Sequence, residues 1–211
     1  MNLSKVLILS PHVDDGELGA GATIARFIDE GKEIHYVAFS SAGLSVPDGF
    51  PKNVTKVEYK KSAEILGISG KNRVILDYEV RSFPSHRQEI LEEMVKLNKR
   101  IKPDLVLVPS SNDFHQDHQT IYGEALRAFK ITSSIWGYEH PWNNLTFTTD
   151  IFVRLEQKHL DKKINALKQY KSQDFRVYFA ERYTRALAYT RGVQVSLAYA
   201  EAFELIRLLI K

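Results

Sequence analysis

Residues 6–21 read VLILSPHVDDGELGAG: an unbroken apolar run from Val6 to Leu9, then at once a histidine, two adjacent aspartates, a glutamate and three glycines. A short apolar run without polar alternation is the pattern of a strand buried on both faces, as in a parallel sheet. From Glu17 the apolar residues Leu18, Ala22, Ile24, Ala25 and Ile28 recur at helical spacing as far as Gly31, which suits a helix end. Ile34 to Phe39 is a second apolar run. Strand, charged loop, helix and strand make a βαβ unit with a right-handed connection. This unit predicts the fold class: α/β, a Rossmann-like three-layer α/β/α arrangement around a mostly parallel sheet.

The same alternation continues outward. A helical pattern near Val57 to Leu66 is closed by Gly67, and a short strand follows at Val74 to Leu76. The segment His86 to Ile101 places Ile90, Leu91, Met94, Val95 and Leu97 on one side and ends before Pro103, which delivers the chain into a buried strand at Asp104 to Val108. A helix near Thr120 to Phe129 and a strand near Ser133 to Tyr138 complete the pattern. Beyond Pro141 the rhythm changes. A strand at Phe152 to Leu155, a helix from Leu160 to Tyr170 and a helical stretch around Ala198 to Leu209 are expected to form a C-terminal extension packed on the sheet. With no internal repeat and no linker composition, residues 1–211 are expected to form one domain.

Composition narrows the function. A hydrophobic fraction of 44% and a charged fraction of 26% are those of an ordinary folded globular protein. The net charge is +3 with a pI near 8.9, and the basic residues are interleaved with acids. The densest basic stretch, Lys158-His159-Leu160-Asp161-Lys162-Lys163, carries its own aspartate and reads as a solvated helix face. No nucleic-acid partner is expected from that pattern. The absence of cysteine excludes disulfides, a thiolate nucleophile and a cysteine-held zinc, so any metal must bind His, Asp or Glu. No segment is long and apolar enough to span a membrane, and the first apolar run is too short for a signal peptide and lacks its cleavage site. A cytoplasmic protein is therefore expected, and a homo-oligomer is compatible with it.

In open α/β sheets ligands bind outside the carboxyl ends of the strands. Two such ends carry unusual chemistry: Pro11-His12-Val13-Asp14-Asp15, and Pro109-Ser110-Ser111-Asn112-Asp113-Phe114-His115-Gln116-Asp117-His118. Taken singly, Asp14 and Asp15 could simply cap a helix, and His115 and His118 could be solvated loop residues. If both strands are central and parallel, however, the loops open on one edge and gather His12, Asp14, Asp15, His115, Asp117 and His118. Such a set calls for a neutralising cation, and imidazole with carboxylate suits zinc. Zn²⁺ would activate water and polarise a carbonyl for hydrolysis of an amide or ester. The spacing leaves open which aspartate binds the metal. A dinucleotide site fails in detail: the glycines at 16, 19 and 21 make no G-x-G-x-x-G, and the second strand ends in Phe39-Ser40-Ser41 without the ribose-binding acid. Gly19 and Gly21 suit close helix packing instead.

PHVDDGELGAG resembles the P-H-P-D-D-E signature of the LmbE-like, or PIG-L-type, zinc-dependent N-deacetylases, and NDFHQDHQ is similar to that family's second H-x-D-H signature. Supporting matches run through Tyr138-Glu139-His140-Pro141, Lys171-Ser172-Gln173, Arg191-Gly192 and Ala200-Glu201-Ala202-Phe203. The resemblance implies that His12, Asp15 and His118 hold one Zn²⁺ per chain, with another divalent ion such as Fe²⁺ as the alternative. It further implies that Asp14 is the general base for water. His115 would stabilise the oxyanion or protonate the departing amine, with Asp117 orienting its ring and raising its pKa. The implied reaction removes an N-acetyl group from an amino sugar of the N-acetylglucosamine type, or its conjugate. Two positions depart from the signature: Val13 replaces its second proline, and Gly16 its glutamate, with Glu17 one place later. A metal-dependent phosphoesterase and a non-catalytic binding module are the competing readings. Tyr138, His140 and Trp142 are expected to pack rather than stack on substrate, and Arg87 to be an exposed helix start.

Overall fold

The computed structural model describes residues 3–210. Its organising strand is β1 (Lys5–His12), whose alternate side chains point to opposite faces. Val6 and Ile8 enter one apolar cluster, built with α1 (Asp15–Asp29), α2 (Val54–Leu66) and α5 (Gln157–Leu167). Leu7 and Leu9 enter a second, built with α3 (Arg87–Ile101) and α4 (Gln116–Phe129). Both faces are thus covered by helices, as the apolar run predicts.

The other strands are β2 (Glu33–Ser40), β3 (Arg73–Ile75), β4 (Leu105–Pro109), β5 (Ser134–Tyr138), β6 (Ile151–Arg154) and β7 (Ala200–Arg207), in the spatial order β3-β2-β1-β4-β5-β7-β6. The pairings among β1 to β5 are parallel, with Val6 between Ile34 and Leu105. The chain winds outward from β1 through β2 to β3, then returns to the far side of β1 for β4 and β5. The order reverses between β1 and β4, so the loops leaving these two strands open a crevice at the switch point.

Two expectations are corrected and one helix is added. The stretch Ala198 to Leu209 is not helical: β7 pairs antiparallel with both β5 and β6. Its alanine, glutamate and leucine favour a helix, but the β5 edge claims the segment, and Phe203 packs tilted against Trp136 with ring centroids 5.8 Å apart. The C-terminal third therefore extends the sheet as well as packing on it. A helix the sequence did not announce, α6 (Glu181–Val193), buries only Thr184, Ala188 and Gly192, small residues without an apolar signal. Finally, Lys158 to Lys163 is not a wholly solvated face. Lys158 and Lys162 reach Asp29 on the surface, whereas Lys163 is buried against Glu201.

Helix starts also shift toward the site. α1 begins at Asp15 and α4 at Gln116, so Asp117 and His118 lie in a first helical turn. Close approach explains Gly19, where a Cβ would collide with the Tyr138 ring. Among the described residues no helix is long and apolar enough to cross a membrane.

Candidate active site

The loops after β1 and β4 meet as the topology requires. His12 Nδ1 lies 3.0 Å and His118 Nε2 3.2 Å from the same oxygen, Asp15 Oδ2. The far nitrogens of both rings face other carboxylates: His12 Nε2 is 2.9 Å from Asp117 Oδ2, and His118 Nδ1 is 2.7 Å from Asp113 Oδ2. If each neutral imidazole donates its outer N–H to that carboxylate, two nitrogen lone pairs and one carboxylate oxygen converge at a buried point. Such a convergence requires a cation. His12, Asp15 and His118 therefore fit a divalent metal, and Asp117 and Asp113 stand where they would fix the tautomers of the two histidines.

Without a metal, protons must take its place. Burial opposes charge on His12, but Asp15 and the hydrogen bond to Asp117 raise its pKa to about 9. For His118 burial is likewise outweighed, by Asp15 and Asp113, and the pKa rises to about 10. Asp15 resists the upward push of burial because His118 and His12 hold it well below the usual carboxylate range.

Asp14 occupies the N-cap position of α1 yet makes no capping hydrogen bond with its side chain. Capping alone is thus not its use. Burial first, and the neighbouring Asp15 second, raise its pKa to about 6, close to that of an efficient general base at neutral pH. Together with His12, Asp15, His115 and His118 it lines a cleft of about 300 Å³. The cleft's outer wall carries Arg81, Trp142, Arg176 and Tyr178. Trp142 stacks on Tyr178 at 4.0 Å along that wall, while Tyr138 and His140 are buried. Arg87 starts α3 and pairs with the buried Glu124.

Asp117 and His115 are related differently from expectation. The main-chain N–H of Asp117, not its carboxylate, bonds His115 Nδ1, at 3.2 Å. The carboxylate instead takes His12 and the main-chain N–H of Arg81, at 2.6 Å. His115 is not raised: burial, then His118 and His12, lower it to about 4 despite the opposing pull of Asp117. The ring is therefore neutral at pH 7. Because Nδ1 accepts, its proton sits on Nε2.

Sequence reasoning gave no site role to three contributors. Asp113 lies in the quoted motif, five residues before the histidine it orients, but carries no distinguishing pattern. His140, just beyond β5 and expected only to pack, bonds the Asp15 carbonyl at 3.0 Å. Glu17 is fully buried and takes hydroxyl hydrogen bonds from Tyr36, Tyr170 and Ser62. Burial pushes Glu17 up to about 7 against the lowering effect of those hydroxyls.

Comparison with known proteins places this geometry. "Uncharacterized deacetylase YaiS" of Escherichia coli K12 is 29% identical over 174 residues, 79% of this chain and 90% of that protein. A diacetylchitobiose deacetylase of Thermococcus kodakarensis is 30% identical over 126 residues, 56% of this chain but only 46% of that longer protein. Among solved structures, GalB of Pseudomonas putida KT2440, a 4-carboxy-2-hydroxymuconate hydratase, superposes with a TM-score of 0.79 at 21% identity, covering 99% of this chain and 98% of its own. Likeness at that identity shows the fold alone, and the hydratase shows that this fold carries more than one reaction. The family profile described as PIG-L: GlcNAc-PI de-N-acetylase matches residues 7–129, the stretch that holds most of β1, all of β4 and every residue of the proposed metal and base set. On that match the chain belongs to the PIG-L family.

Proposed function

We propose that this chain is a metal-dependent amidohydrolase that removes the N-acetyl group from an amino sugar of the N-acetylglucosamine type, or its conjugate, with zinc as the metal. The observation that carries the reading is the convergence of His12, Asp15 and His118 on one point beside Asp14, a buried carboxylate that no capping bond consumes. Family membership and the deacetylase relatives favour an acetamide over a phosphoester. A cleft of about 300 Å³ suits one sugar ring with a small substituent.

A divalent cation on His12, Asp15 and His118 would polarise the acetyl carbonyl and acidify water toward a pKa of about 7. The chain's own groups do the rest. Asp14 takes a proton from water as its oxygen attacks the acetyl carbon. His115, neutral and protonated on Nε2, donates a hydrogen bond to the developing oxyanion. Asp14 then returns its proton to the amide nitrogen, the C–N bond breaks, and acetate and a free amine leave. Asp117 and Asp113 keep His12 and His118 in place throughout.

The test loads the protein with zinc or Fe²⁺ and measures acetate release from N-acetylglucosamine and its glycosides, alongside phosphate release from model esters. Zinc-supported acetate release, reduced about 10³-fold or more in Asp14→Ala with metal retained, is the expected result. Phosphate release alone would assign a phosphoesterase, metal binding with neither product a binding module, and near-normal Asp14→Ala turnover would remove the base.

A further inference from the structure

Asp14 presents a positioning problem. Among the described residues no other side chain hydrogen-bonds its carboxylate, so its direction is set by its own main chain. That main chain is tied on both sides by hydroxyls. The Tyr170 hydroxyl donates to the Val13 carbonyl at 2.6 Å, immediately before Asp14. The Gly16 N–H, just after Asp15, is donated to Ser10 Oγ at 3.0 Å and the Tyr36 hydroxyl at 3.1 Å. Ser10 Oγ also donates to the His12 carbonyl.

The hydroxyls are themselves held by one carboxylate. Glu17, with no solvent exposure, accepts from Tyr36 of β2 and from Ser62 of α2 at 2.9 Å, and its Oε1 lies 2.8 Å from the Tyr170 oxygen, whose single proton it shares with the Val13 carbonyl. An apolar side chain would cost less to bury in that space; what the carboxylate adds is direction. Gly16 is part of the device, since a Cβ there would lie 2.5 Å from the Tyr36 hydroxyl. The glycine that departs from the signature is the one residue that lets Tyr36 reach Glu17 and the loop together.

We propose that Tyr170 and Tyr36, anchored on Glu17, are positioning residues that clamp the 13–16 main chain and so aim the Asp14 carboxylate into the cleft. The proposal rests on the role given above to Asp14. A misplacement of about 1 Å in a reacting group costs about 10²-fold in rate, so losing one of two clamps costs turnover rather than affinity.

The test is Tyr170→Phe, which deletes the hydroxyl and keeps the ring, with Tyr36→Phe as the second variant if the first does not fold. The expected result is a kcat lower by about 10- to 100-fold, with KM and metal content unchanged. In an Asp14→Ala background the same change alters residual turnover by less than about twofold, because the clamp acts through Asp14. An equal loss with and without Asp14 would overturn the proposal. Amide exchange over residues 12–16 of the metal-loaded protein gives a readout that needs no substrate: about tenfold faster exchange in Tyr170→Phe supports the clamp, and unchanged exchange overturns it. A wild-type protein inactive on every acetamide, yet showing that change in exchange, would sink the proposed reaction and keep the clamp.

Discussion

Residues 5–140 and residues 141–210 are joined to the same sheet by different forces. In the first region the parallel strands are buried between helices, and their contacts are dominated by aliphatic side chains such as Leu7, Ile8, Leu107 and Val108. The second also contributes apolar residues, Phe203 and Tyr170 among them, but its attachment runs through buried polar pairs. Glu201 of β7 accepts Thr23 N–H at 2.7 Å and Ala22 N–H at 3.2 Å in the middle of α1, and Lys163 Nζ at 2.7 Å. Lys163 also donates to the Leu18 carbonyl at 2.7 Å. Glu58 of α2 takes both the N–H and the hydroxyl of Ser172, and Glu139 pairs with Arg191 of α6. The difference teaches that apolar patterning specifies the chemical half of the molecule, whereas buried polar contacts, only some of them charge pairs, help specify how the rest is laid against it.

The largest effect that would sharpen this contrast belongs to the first region. At pH 7 His12 and His118 in the metal-free protein lie below pKa values of about 9 and about 10, so each holds a proton that an incoming ion must displace. Metal affinity should therefore rise with pH, by about two decades per unit up to pH 9 and about one decade between 9 and 10, then level off. Competition against a chelating indicator from pH 6.5 to 8.5 measures the slope. A flat profile would mean that the inward nitrogens are not protonated without metal, and that the carboxylates behind them do not control the site.

This contrast also explains what one sequence could disclose. The run Val6 to Leu9 placed β1, and with the run before Pro109 it placed the switch point where the two loops open, because burial on both faces leaves an uninterrupted apolar signature; the choice of Asp15 over Asp14 came from the family resemblance alone. His115 and Asp117 were correctly placed together, but their hydrogen bonding was not, since a side chain and a main-chain N–H of the same residue are equivalent at the level of spacing. Residues 198–209 were misassigned because alanine, glutamate and leucine suit a helix until an open β5 edge competes for them. α6 was invisible because its buried stripe is Thr184, Ala188 and Gly192. Lys163 and Glu201 are 38 positions apart, and nothing in either neighbourhood marks the other as its partner.

The next effect tests the second region's mode of attachment. Glu201→Ala leaves the Lys163 ammonium buried with a carbonyl for company and strips two N–H groups of α1 of their acceptor. Breaking a buried pair in this way destabilises by about 3–5 kcal/mol. Replacing both, as Lys163→Met with Glu201→Gln, removes the stranded charge and should cost less than half as much. Chemical denaturation with a constant m-value reads both. A double variant no better than Glu201→Ala would locate the loss in the α1 N–H groups and not in the charge pair.

The smallest effect asks whether the C-terminal third touches chemistry or only substrate. Arg176 is oriented by neutral partners, with Nε 2.8 Å from Gln173 Oε1 and Nη1 2.7 Å from the Tyr178 hydroxyl. Among the described residues no carboxylate lies within ion-pair distance of it, although it lines the cleft that holds Asp14. A guanidinium held by uncharged groups at a cleft wall is preorganised to receive a polar substituent of the substrate. Arg176→Ala should raise KM about tenfold, the equivalent of about 1.4 kcal/mol of binding, while kcat changes by less than about threefold. Steady-state acetate release separates the two constants. A fall in kcat as large as that in Tyr170→Phe would contradict the division, because it would make this wall part of the machinery that positions Asp14 rather than a surface that only holds what is to be cleaved.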